Sequence, residues 1–179
     1  MIQSPDDPMT QSEKSLLRVG LTGSIGVGKS FVAGVLEELG CHVADADQTA
    51  REVVMPGSPG LAAVVAAFGN NVLREDGTLD RPKLGAIVFR DQKKRELLNS
   101  ILHPYIIARQ DELLREWGKE DPFGIGIIDA ALMIESGGYK RFDKLIVVHC
   151  RPEVQLQRLI TRDGLSESEA RQRIAAQMP

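Results

Sequence analysis

Residues 23–30 read Gly-Ser-Ile-Gly-Val-Gly-Lys-Ser and fit the pattern GxxxxGK[ST]. Glycines at these spacings let the backbone curl until successive N–H groups converge on an anion. A helix opening directly behind them adds the positive end of its dipole. Gly23, Ser24, Ile25, Gly26, Val27, Gly28, Lys29 and Ser30, with Phe31 following, are therefore the candidate contacts of a polyphosphate. Lys29 is expected to reach the β- and γ-phosphates, and the Ser30 hydroxyl to ligate Mg²⁺. A glycine-rich turn that merely joins a strand to a helix is the competing explanation. The buried strand expected before the motif and the helix after it weigh against that. The segment reads as a nucleoside-triphosphate site.

Proteins with such a loop are mainly kinases, motor or transport ATPases, and GTPase switches. A GTPase needs an Asn-Lys-x-Asp segment to read guanine, and the chain has none. A small-molecule kinase needs a carboxylate near the acceptor hydroxyl and a cationic lid over the phosphates. Asp45 and Asp47 meet the first need, because they end a short apolar run where parallel sheets form their ligand sites. One can act as base while the other holds the loop, and capping the next helix is the alternative for both. Arg51, one helical turn on, either reaches the same pocket or pairs with Asp47. Arg158 and Arg162 share a helix face, and five arginines against four acids lie between Arg151 and Arg173. They suit a lid that neutralises a transferring phosphoryl group, or simply a solvated face. Asp129 ends another apolar run, as a metal-site carboxylate would, with Glu135 six residues on. Capping a helix is its alternative. His103-Pro104 can mark a helix start, and His42 and His149 read as structural.

These residues need a frame. Residues 16–21 read as a buried strand, 29–39 as a helix closed by Gly40, and 42–44 as a second strand, which together make a βαβ unit. Helical periodicity then dominates over 48–55, 59–68, 81–89, 91–102 and 104–118, with a turn at Asp76-Gly77. Strands resume at 125–128 and 145–148, a helix follows over 152–161, and Ser166 and Glu169 form a capping box for a last helix toward Gln177. The expected fold is α/β: a three-layer P-loop sandwich with a parallel sheet. Its single domain covers 16–179, with a core of about 16–50 and 121–179, a helical acceptor-binding insertion of about 51–120 and a lid of about 158–173. Residues 1–15 read as a mobile tail, not a signal peptide. Of 179 residues 42% are hydrophobic, 26% are charged and the net charge is −3, so no basic excess points to nucleic acid. No apolar run is long enough to span a bilayer. Cys41 and Cys150 read as small core residues in a reducing, cytoplasmic setting.

The motifs together resemble the dephospho-coenzyme A kinase family. The likeness runs from Gly20-Leu21-Thr22-Gly23 through the 45–51 block Asp-Ala-Asp-Gln-Thr-Ala-Arg, Leu102-His103-Pro104 and the 129–135 block Asp-Ala-Ala-Leu-Met-Ile-Glu. It continues with Arg158-Leu159, Arg162-Asp163-Gly164 and the 173–179 block Arg-Ile-Ala-Ala-Gln-Met-Pro. The resemblance implies ATP-dependent phosphorylation of the ribose 3′-hydroxyl of dephospho-coenzyme A, the last step of coenzyme A synthesis. It implies Asp47 as base, Lys29, Arg158 and Arg162 at the transferring phosphoryl, and Asp45, Arg51, His103 and Leu132 as acceptor contacts. Ser30 and Asp129 would hold Mg²⁺, and the sheet would have five parallel strands. Three departures stand out. Ser24 replaces a usual Gly, Ala131 stands where the family has Pro, and the family's further strand and helix, with an adenine-holding loop, lie beyond Pro179. A sheet lacking its last strand exposes an edge, so a longer natural protein is expected.

Overall fold

The computed structural model describes residues 15–177; the expected tail, apart from Ser15, falls outside them. Four parallel strands form one sheet in the order β2-β3-β1-β4: β1 (Leu17–Thr22), β2 (His42–Asp45), β3 (Ile125–Asp129) and β4 (Lys144–Val147). The expected fifth strand is not found among the described residues. Register brings the C-terminal ends level, with Asp45 beside Asp129 and Asp129 beside Leu21. Chemistry at that edge is thus assembled from residues far apart in sequence.

Side-chain alternation along the strands feeds two cores. Val19, Leu21 and Ile127 pack on one face under Val32 and Leu36 of helix α1 (Lys29–Glu38). Ile128 and Leu16 pack on the other face against Leu114 and Trp117 of helix α5 (Gln92–Glu120). Helix, sheet and helix make the three layers. Past α1, Gly40 at φ +90° lets the Cys41 N–H return to the Leu36 carbonyl at 3.0 Å, which stops the helix before β2.

Between β2 and β3 lie α2 (Ala46–Glu52), α3 (Pro59–Phe68), α4 (Arg81–Arg90) and α5. Ser58, Asp80 and Asp91 each accept a backbone N–H at the start of the helix that follows. Val54, Leu61, Val64, Val72, Leu79 and Leu84 form a third core among these helices. The Asp76-Gly77 turn forms as expected, with Leu73 bridged to Leu79 across it.

The expected pair of helices at 91–102 and 104–118 is one continuous helix with Pro104 inside it. A mid-helix proline forfeits one backbone hydrogen bond. Here Leu98, Ile101 and Leu102 are committed to the third core before it, and Leu114 and Trp117 to the sheet after it. Burial at both ends outweighs the lost bond. The last helices are α6 (Pro152–Asp163) and α7 (Glu167–Ala175), and the Ser166–Glu169 capping box is complete.

Candidate active site

β1 runs into the glycine loop and α1 starts at Lys29, so the loop hangs from a strand end and feeds a helix N-terminus. Gly28 caps that helix at φ 102°, a conformation costly for any residue bearing a Cβ. A Cβ on Gly23 would lie 2.6 Å from the Val148 carbonyl, so the loop also sits too tight on β4's end for a larger residue. The loop borders a cleft of about 570 Å³ lined by Gly23, Ser24, Ile25, Gly26, Gly28, Lys29 and Ser30, with Arg158, Thr161, Arg162 and Gln177 opposite. Val27 is buried beneath it, while Phe31 is 77% exposed and outside the lining.

Lys29 Nζ donates to Asp129 Oδ1 on the end of β3. With Ala131 two residues on, Asp129 stands in register with Leu21 and is followed by an Ala130 N–H bond to the Leu21 carbonyl at 3.0 Å. Burial pushes the Asp129 carboxyl above its ordinary value. The hydrogen bond and charge of Lys29 oppose that shift, and the nearby charges of Asp45 and Asp47 add to it. Three carboxylates therefore feel one another at this edge. No group of three or more His, Cys, Asp or Glu able to hold a metal alone exists among the described residues. A Mg²⁺ that arrives on a polyphosphate needs only one or two protein oxygens, and the hydroxyl of Ser30 and the carboxylate of Asp129 fit that demand.

Asp45 and Asp47 differ in what they touch. Asp45 caps α2, accepting the Asp47 N–H at 2.6 Å, so the capping alternative applies to it. Asp47 lies in the first turn of α2, exposed. Arg109 of α5 steadies that helix through Glu52 at 3.6 Å. Arg51, exposed on the last turn of α2, makes no ion pair with Asp47 among the described residues. His103 is exposed midway along α5 rather than at a helix start, and Leu132 is 56% exposed in the turn after β3. Neither lines the cleft. Arg158 Nη1 donates to the Val27 carbonyl at 2.8 Å, and Arg162 pairs with Asp163 at 2.6 Å. His42 stacks on Trp117 at 5.3 Å, and both cysteines are free and half-buried.

A family description for dephospho-CoA kinase matches residues 17–179. The chain belongs to the dephospho-CoA kinase family. Dephospho-CoA kinases of Shouchella clausii and Streptomyces avermitilis are 48% and 51% identical to it. The first match covers 91% of this chain and 82% of the relative, and the second 90% and 78%. Among solved structures, a Thermus thermophilus protein superposes with a TM-score of 0.73 at 29% identity, covering 92% of this chain and 82% of its own. The dephospho-CoA kinase of Campylobacter jejuni superposes at 0.65 with 30% identity, covering 89% and 79%.

Within this dephospho-CoA kinase fold, Gln155 and Gln177 contact the loop and were not among the expected site residues. Gln155 donates to the Ile25 carbonyl at 2.7 Å, and Gln177 accepts the Ile25 N–H at 2.7 Å. The available signal was a glutamine four residues before Leu159 on the core-facing side of α6, where both are buried.

Proposed function

We propose that the protein transfers the γ-phosphoryl of ATP to the ribose 3′-hydroxyl of dephospho-coenzyme A, giving coenzyme A. Family membership over residues 17–179, with the glycine loop intact, carries the reading. ATP's phosphates would lie along the loop, against its N–H groups and Lys29. Ser30 and Asp129 would hold Mg²⁺, which when bound neutralises charge on the phosphates. Lys29, released from Asp129 by the arriving phosphate, would follow the negative charge. Asp47 is the proposed base. Its support is that Asp45 is committed to capping α2 while the Asp47 carboxylate is exposed and free of any hydrogen bond or ion pair among the described residues.

Arg162 and Arg158 on α6 are proposed to close over the phosphates as part of a lid of about residues 158–173. Arg51, His103 and Leu132 are proposed on the acceptor side, in and beside a helical unit of about residues 51–120. Positioning carries more of the acceleration than the base does, since the phosphoryl-transfer transition state is loose. The reading also places the protein in the cytoplasm, where both substrates would be met.

A panel of acceptors with labelled ATP tests this. Dephospho-coenzyme A should be phosphorylated in preference to nucleosides and other small alcohols, and Lys29→Ala should lose at least about a hundredfold in turnover. Preferred labelling of another acceptor, or near-normal turnover by Lys29→Ala, would overturn it.

A further inference from the structure

The start of the glycine loop is gripped from both sides. Gln155 Nε2 donates to the Ile25 carbonyl at 2.7 Å and to Ser24 Oγ at 3.1 Å. Gln177 Oε1 accepts from the Ile25 N–H at 2.7 Å and from Ser24 Oγ at 2.9 Å. The Ser24 hydroxyl thus accepts from one amide and donates to the other, closing a chain from α6 to Gln177, two residues past α7. Arg158 completes the grip on the Val27 carbonyl.

This arrangement has a geometric consequence. In a planar trans peptide the C=O and the following N–H point in opposite directions. Holding the Ile25 and Val27 carbonyls from α6 turns the N–H groups of Gly26 and Gly28 the other way, and both glycines line the cleft. Gln155 is 8% exposed, so its amide is costly to leave unpaired and holds its place.

We propose that Gln155 and Gln177, bridged by the Ser24 hydroxyl, are positioning residues that preset the loop for the triphosphate and make that setting depend on α7 being seated. The proposal rests on the nucleotide reading of the cleft. It makes α7 more than a cover: if α7 lifts, Gln177 leaves, and the Ile25 N–H and the Ser24 hydroxyl lose the oxygen they share, while Gln155 still holds the Ile25 carbonyl.

Calorimetric titration of ATP with Mg²⁺ into the full chain tests the proposal without any acceptor. Gln177→Ala and Gln155→Ala should each weaken ATP binding about tenfold. Because the three residues act as one unit, the double variant should bind little worse than the weaker single. Ser24→Ala, which leaves both amide–peptide bonds intact, should lose only about threefold. In turnover, KM for ATP should rise while KM for the acceptor stays within about twofold, a split that general loosening would not give. ATP binding by Gln177→Ala equal to wild type, beside a Lys29→Ala protein that no longer binds, overturns the positioning role alone. Normal binding by Lys29→Ala overturns the nucleotide reading and this proposal with it. Equal losses for ATP and acceptor that track a fall in melting temperature also overturn it.

Discussion

One hydrogen bond separates Asp45 from Asp47. Both residues are exposed, but the Asp45 carboxylate is tied to the Asp47 N–H at 2.6 Å, whereas the Asp47 carboxylate has no hydrogen bond or ion pair among the described residues. Asp47→Asn should therefore lower kcat by about a hundredfold or more with little change in melting temperature. Asp45→Asn retains a capping side chain and should leave kcat within about tenfold. Steady-state kinetics on both variants decide the matter, and the reverse ranking would reassign the base. The spacing of the pair was legible in the sequence, but this division was not. It depends on α2 beginning at Ala46, directly after the strand, and helix starts shift by a residue or two on sequence grounds.

Asp129 carries a pH signature. In the unfolded chain its carboxyl titrates near 3.8, and burial raises it in the folded protein. Between the two values the folded state binds the extra proton. The associated stability is therefore complete below about pH 3.8 and is lost as pH rises through the raised value. Thermal melts of wild type and Asp129→Asn across the acid range should show the wild type losing ground to the variant as pH climbs above 3.8, then a constant difference. A difference independent of pH throughout would contradict the assignment. An apolar run ending in Asp marked this residue in the sequence; its pairing with Lys29, a hundred residues away, belongs to the fold.

At the scale of elements, α5 couples the helices between β2 and β3 to the sheet. Its Asp111 carboxylate takes Arg18 of β1 at 2.6 Å and Arg141, shortly before β4, at 2.8 Å. Arg141 also donates to Gln110 at 3.0 Å and lies over the Phe142 ring. Asp111 is two-fifths exposed, so solvent screens the pairs; Asp111→Asn should cost only about 1 kcal/mol in a urea titration, and less at high salt. A loss several times larger would mean that the carboxylate bears more of the joint than the geometry shows. The β1-α1-β2 unit and the final capping box were readable because their signals are local: a period, a glycine just past a helix, a Ser and a Glu three apart. The continuity of α5 through Pro104 was not, since the proline is a local stop signal and the forces that override it come from two separate cores.

For the whole molecule, a net charge of −3 leaves a small number of placed cations rather than a basic field. Arg158 and Arg162 line the cleft, Arg158 donating to the Val27 carbonyl and Arg162 facing Asp163, and Arg171 pairs with Glu167 on the solvent side at 2.6 Å. The arginine-rich segment thus divides into residues at the cleft and residues on a solvated face. No helix among the described residues is long and apolar enough to cross a membrane. The layered sheet was expected from alternating strand and helix patterns, and its four described strands align the carboxylate-bearing ends of β2 and β3 beside the loop. The most direct check on the account is phosphorus NMR of the product formed from ATP and dephospho-coenzyme A. A new phosphomonoester resonance on the ribose 3′-position, appearing in step with ADP, is the predicted result. ADP and free phosphate without that ester, or an ester at another position, would contradict it.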